Sequence, residues 1–210
     1  MFCIQSKVKA VIDSYEINMK KLVQGVGIND GKYPATINGK IRKEYDLWTS
    51  MLERCYSENY HKKRPTYLGC TVSDSFKDYT YFFEWCQKQI GFNIEGYQLD
   101  KDLIYKGNRE YNEDNCVFIP HELNMLLLKR NSSRGDLPIG VCKHGVKFQA
   151  GCTINGVRKY IGLFTTPELA FNAYKTFKEA YIKEQAEKYK GTIDPRAYQA
   201  LLNYEVSIDD

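Results

Sequence analysis

With 210 residues, 43% of them hydrophobic and 14% aromatic, the chain can build one or two small cores. No apolar run approaches the roughly 20 residues of a membrane span, and no charged-then-apolar leader opens the chain, so neither a membrane protein nor a secreted one is expected. The net charge is +4, permissive for nucleic acid but not diagnostic, and seven scattered Cys with no C-x-x-C pair read as reduced cytoplasmic thiols rather than disulfides or zinc ligands.

Residues 1–44 are the least patterned. A helix is expected over 7–24, after which Gly25, Gly27, Gly31, Pro34 and Gly39 break any period. Lys32, Lys40, Arg42 and Lys43 suit an arm along a phosphate backbone, and a solvated lead-in explains the same residues equally well. From Tyr45 the helical signal is strong, with Trp48, Met51, Leu52 and Cys55 at i, i+3, i+4 and i+7. A basic loop, His61 to Pro65, leads to an expected strand over Tyr67 to Val72. A second helix is expected from about Ser75 to Gln89, with Phe76, Tyr79, Phe83, Cys86 and Ile90 on one face, capped by Ser73 or Asp74 and stopped by Gly91.

Leu99 to Lys129 reads as strand, polar loop, strand and helix. Leu99 to Tyr105 forms one arm of a hairpin and Cys116 to Ile119 the other, ended by Pro120. Leu123, Leu126 and Leu127 then recur at helical spacing behind a first-turn Glu, with Lys129 and Arg130 at the far end. Asn115 opens the second strand and Asn124 lies nine residues further on, in the helix.

This pattern resembles the ββα metal finger of HNH nucleases, particularly phage homing endonucleases, and the stretch from Tyr45 to Cys86 is similar to the same proteins. The resemblance implies a catalytic centre at Asp100, Lys101, Asp102, Asn115 and Asn124, with Mg²⁺ between Asp102 or Asp100 and Asn124. The catalytic His of that family is replaced within Asp100-Lys101-Asp102. Lys, with an ordinary pKa of about 10.4, is protonated at neutral pH, so Lys101 suits holding a phosphate better than acting as a base. His121, at the helix start, is the only local imidazole that could substitute.

A polar break at 131–136 separates this part from a second pattern. Leu137 to Cys142, Lys147 to Ile154 and Val157 to Phe164 read as three antiparallel strands, with Asn155-Gly156 as a two-residue hairpin turn. A helix from Pro167 to about Lys190 follows, its expected stripe being Ala170, Tyr174, Phe177 and Tyr181. Alternation directs Phe148, Ala150, Cys152, Ile154, Ile161 and Leu163 to the helix. It leaves His144, Lys147, Gln149, Gly151, Thr153, Arg158 and Tyr160 on the open face. After Gly191 a short helical tail is expected to fold back.

Ile139-Gly140-Val141, Lys147-Phe148-Gln149-Ala150, Tyr160 to Thr165 and Pro167-Glu168-Leu169-Ala170 resemble the AP2 DNA-binding domain. In that family the sheet enters the major groove, which implies contacts from His144, Lys147, Gln149, Thr153, Arg158 and Tyr160. Lys129, Arg130 and Arg134, at the end of the preceding helix and in the basic linker, are expected on the phosphate backbone. The family commonly has Arg where this chain has Cys142, and Trp where it has Tyr160.

The expectation is therefore an α+β protein: a basic arm (1–44), a helical and HNH-like ββα module (45–130), a linker (131–136), an AP2-like sheet with one helix (137–190) and a tail (191–210). The expected partner is double-stranded DNA, in the cytoplasm of a bacterial host. Two roles stay open: a site-specific repressor that retains a degenerate nuclease, or an active Mg²⁺-dependent homing endonuclease or nickase. A third reading is RNA or protein binding through the tyrosine-rich surface.

Overall fold

A computed structural model describes residues 22–128 and 136–208. The protein is α+β, with seven α-helices among the described residues and strands in small sheets. Most of the expected helix over 7–24 and all of the expected linker except Asp136 lie outside the described residues. The chain divides into two compact units, one made of residues up to Gln89 plus Tyr105–Cys116, the other of Ile90–Ile104 plus everything from Val117.

In the first unit, a two-stranded ribbon, β1 (Thr36–Ile37) and β2 (Lys40–Ile41), turns at Asn38-Gly39. Both turn residues have positive φ, as a tight hairpin requires. Helix α1 (Lys43–Tyr56) buries Trp48, Met51, Leu52 and Cys55 as the spacing predicts. Helix α2 (Glu58–Lys63) is capped by Ser57, which accepts the Tyr60 N–H, and a 3₁₀ turn follows at Pro65–Tyr67. Strand β3 is only Thr71–Val72, shorter than expected.

The single helix expected over 75–89 is two helices, α3 (Asp74–Lys77) and α4 (Tyr79–Gln87). Asp78 breaks them, because its carboxylate accepts the Tyr81 N–H at 3.1 Å and caps the second helix in place of continuing the first. The break rotates the register: Phe82 and Trp85 are buried beside Tyr79, Phe83 and Cys86, while Ile90 is exposed. Ser73 is the N-cap of α3.

The core of this unit is aromatic. Trp48 donates its indole N–H to the Phe76 carbonyl at 2.8 Å, and Phe76 packs edge-on against Phe82 and close to Trp85. Residues expected as a loose lead-in pack against it. Ile28 exchanges backbone hydrogen bonds with Lys77 and Tyr79, Tyr33 stacks on Phe83, and Gly27 lies so close to Leu52 and Trp48 that a Cβ would overlap both. Strand β3 pairs in parallel with β5 (Glu110–Tyr111), a strand that no local pattern announced.

The second unit begins with β4 (Tyr97–Asp100), antiparallel to β6 (Val117–Pro120), and α5 (His121–Leu127) follows directly. The first arm is therefore displaced from the expected Leu99–Tyr105, because residues 101–105 bend away. Three antiparallel strands come next: β7 (Val141–His144), β8 (Lys147–Ile154) and β9 (Val157–Phe164). Helix α6 (Pro167–Lys188), started by Thr166 and Pro167, and α7 (Pro195–Leu202) complete it.

Helix α6 serves two cores. Its first half places Ala170, Phe171 and Tyr174 against Val141, Ala150 and Cys152 of the sheet. Its second half places Ile182 and Ala186 with Val117, Ile119, Leu123 and Leu126 of the hairpin and α5. The buried stripe thus runs through 170, 174, 178, 182 and 186, with Phe177 and Tyr181 at its margins rather than in it. The tail folds back as expected: Leu201 joins the hairpin's core and Val206 the sheet's.

Two stability outcomes follow. The buried Tyr79 hydroxyl has no hydrogen-bond partner among the described residues, and burial pushes its phenol up to about 12. Tyr79→Phe is expected to hold or raise stability in chemical denaturation, by about 1 kcal/mol. Gly140 has φ +79°, and a Cβ there would come within 2.1 Å of the Tyr174 ring. Gly140→Ala is expected to cost more than about 2 kcal/mol in the same assay.

Candidate nucleic-acid interface

The pleat of β8 sets the two faces of the three-stranded sheet. Ala150 and Cys152 are buried under α6, so Gln149, Gly151 and Thr153 face the other way. Pairing then places Cys142 opposite Gln149 and His144 opposite Lys147 on one side. On the other side it places Leu163 opposite Gln149, Tyr160 opposite Gly151 and Arg158 opposite Thr153. All six side chains expected as the sheet's DNA contacts, His144, Lys147, Gln149, Thr153, Arg158 and Tyr160, therefore share the open face.

Leu163 is a correction. It was expected under the helix, yet it is 39% exposed and pairs with Gln149 on the open face. A β-bulge between Ala150 and Gly151 is the cause. One extra residue on β9 resets the alternation, so Ile161 and Phe164 pack inward while Leu163 turns out. A strictly alternating reading of the sequence has no means of locating such a bulge.

Arg158 organises this face. Its guanidinium lies over Gly151, where an added Cβ would come within 3.1 Å of both Nε and Nη2. Nη2 then reaches the Cys142 thiol on the far strand at 3.7 Å. The side chain therefore crosses the sheet from β9 to β7, over the space left by the missing side chain at Gly151. The face is also one-signed: no Asp or Glu occurs from Leu137 to Phe164, and Lys147 and Arg158 supply its cations. Tyr160, 65% exposed, stands beside these cations. Such a surface offers donors and a ring to a polyanion without an internal carboxylate competing for them. Gly151 and Cys142, which shape the Arg158 path, were not singled out as contacts from the sequence.

Beside the sheet, α5, β7 and α6 wall a cleft of about 880 Å³. Lys178 lines it, and its ammonium is directed at the Leu126 carbonyl, the end of α5. A cation in the middle of the α6 stripe thus satisfies a helix terminus.

The residues expected as a nuclease centre divide between the units. Asn115 lies in the first, where it donates to Asn108 Oδ1 at 3.0 Å and its backbone N–H to Asn112 Oδ1 at 2.8 Å. These contacts knit the 108–115 loop. Asp100, Lys101, Asp102 and Asn124 lie in the second. Asp100 Oδ1 accepts the N–H groups of Asp102 and Leu103, at 2.9 and 2.8 Å, which makes it the pivot of the bend after β4. Lys101 is buried and holds Asp102 Oδ1 at 2.6 Å. Asn124 donates to Gln98 Oε1 at 3.0 Å. His121 is exposed, with its backbone N–H on the Gly96 carbonyl.

This donor set does not fit Mg²⁺. The one exposed carboxylate, Asp102, already faces an ammonium where a dication would have to sit, and Mg²⁺ demands near-octahedral oxygen donors. Among the described residues no three His, Cys, Asp or Glu side chains gather as a metal site. Of the expected backbone contacts, Lys129, Arg130 and Arg134 lie outside the described residues. No described helix is long and apolar enough to cross a membrane, and none of the six described cysteines is in a disulfide. Comparisons with family models, curated proteins and solved structures yield no match.

Burial raises the Asp100 carboxyl above the usual carboxylate range, against the two backbone hydrogen bonds that pull it down. An acid whose folded pKa is raised binds more protons folded than unfolded, so its contribution falls as pH rises through the carboxylate range. Asp100→Asn keeps an acceptor for both N–H groups and removes the charge. Its stability relative to the parent is expected to be higher at pH 7, with the difference shrinking in thermal melts below about pH 4.

Proposed function

We propose that the chain is a site-selective double-stranded DNA-binding protein whose three-stranded sheet lies in the major groove, as the resemblance to AP2 domains implies. The observation that carries this reading is Arg158, laid across a carboxylate-free sheet face through the gap at Gly151. A guanidinium held in place presents two parallel donors at low entropic cost, and its match is the O6 and N7 edge of guanine. Lys147 and His144 border it for phosphate, and Gln149 and Thr153 supply further donors and acceptors on the same face.

The hairpin β4–β6 with α5 supports descent from an HNH-like ββα finger whose nuclease chemistry is lost. Lys101 and Asp102, at the place of the family's catalytic His, are engaged with each other, which supports the loss of a general base there. The protein then acts by occupying a site, as a repressor does, in the cytoplasm of a bacterial host and without a metal cofactor.

Selection of bound duplexes from a random pool, with strand integrity followed in Mg²⁺ and in Mn²⁺, tests both halves. A recovered motif with intact strands is the expected outcome. Strand breaks lost in Asp102→Ala would restore the endonuclease. Preference for single-stranded RNA would overturn the duplex reading. On the recovered site, Arg158→Ala is expected to cost about 1–3 kcal/mol and to relax selection at one base pair. Lys147→Gln is expected to weaken all duplexes alike and lower the salt slope by about one.

A further inference from the structure

Two lysines of the first unit have acidic partners: exposed Lys32 holds Glu84 at 2.7 Å and half-buried Lys77 holds Asp74 at 2.8 Å. Lys62, Lys63 and Arg64 differ. They are consecutive and exposed, and none forms an ion pair with a described residue. No Asp or Glu occurs between Glu58 and Asp74. A fourth cation joins them from β5's edge: exposed Arg109 donates to the carbonyls of Thr66 and Leu68, the loop that follows Arg64.

The backbone that presents these charges is built rather than slack. The Arg64 N–H closes α2 on the Tyr60 carbonyl, Leu68 N–H bonds Pro65, and Cys70 N–H bonds Tyr67. Tyr60 and Tyr67 pack edge-on at 5.6 Å beneath. A cation in the last turn of α2 complements the helix dipole. Three in succession repel one another and go beyond that need, so their natural complement is a polyanion with regularly spaced charge.

We propose that Lys62, Lys63 and Arg64, with Arg109 bracing their loop, form a second contact for the phosphodiester backbone of duplex DNA. The first unit carries it, and it is indifferent to sequence. This rests on the reading of the chain as a duplex-binding protein, and it adds a phosphate clamp distinct from the sheet that selects the site.

The test uses the full chain with Lys62→Gln, Lys63→Gln and Arg64→Gln combined, its fold checked by thermal melt. Affinity for the selected site and for a scrambled duplex is measured across 50 to 200 mM salt. Three phosphate contacts contribute about 2.7 to the logarithmic salt slope. Over this range the parent is therefore expected to lose roughly fortyfold more affinity than the variant, on both duplexes. The ratio of selected to scrambled binding should stay unchanged. Lys188→Gln, at a residue placed 3.9 Å from Glu122 in the second unit, should leave the slope as it was. A folded triple variant with the parent's slope overturns the clamp and leaves the sheet's role standing. A parent chain that binds no duplex overturns both.

Discussion

The second unit depends on one helix having two partners. About 33 Å long at 22 residues, α6 is longer than a three-stranded sheet needs for cover. Its surplus turns carry Ile182 and Ala186 into the core of the hairpin and α5. Leu126 and Leu123 are buried on account of that helix, and Lys178, set between the two cores, satisfies the end of α5. The tail is drawn into the same arrangement, with Lys175 and Glu179 of α6 holding the carbonyl and N–H of Val206. Sheet, hairpin and tail are thereby held as one body by apolar burial along a single stripe.

That economy bears on function. A sheet of three strands is thin, and its open face can present polar groups only if the other face is fully buried. Ala150 and Cys152, small side chains with no exposed surface to speak of, let α6 approach closely. Gly151 between them leaves the opposite face empty where Arg158 needs to lie. The same three residues therefore fit the helix on one side and the guanidinium on the other. Charge follows the same division, since the face carries cations without carboxylates while acidic side chains such as Asp100 and Asp102 are occupied locally in the bend after β4.

The nuclease-like residues illustrate how far a motif reaches. Spacing identified Asn115 and Asn124 as a pair, but Asn115 is bound into an asparagine-rich loop and Asn124 turns to Gln98. Spacing reports the separation along the chain, whereas a metal site needs convergence of donors in space. That Asp, Lys and Asp stand in succession could be read from the chain. That Lys101 is buried and holds Asp102 could not be.

Sequence by itself determined the elements whose information is local. The α1 stripe at Trp48, Met51, Leu52 and Cys55, the Asn155-Gly156 turn with its two strands, the Pro167 start of α6 and the polar set on the sheet's open face all follow from period, turn chemistry and caps. Tertiary structure decided what depends on distant partners. The parallel pairing of β3 with β5, the docking of Ile28 and Tyr33 on the helices, and the sharing of α6 between two cores each join residues far apart in the chain. The Asp78 break and the bulge at Gly151 belong to the same class, although each spans only a residue. Capping competes with helix continuation, and an extra strand residue competes with regular pairing, on margins that packing alone resolves.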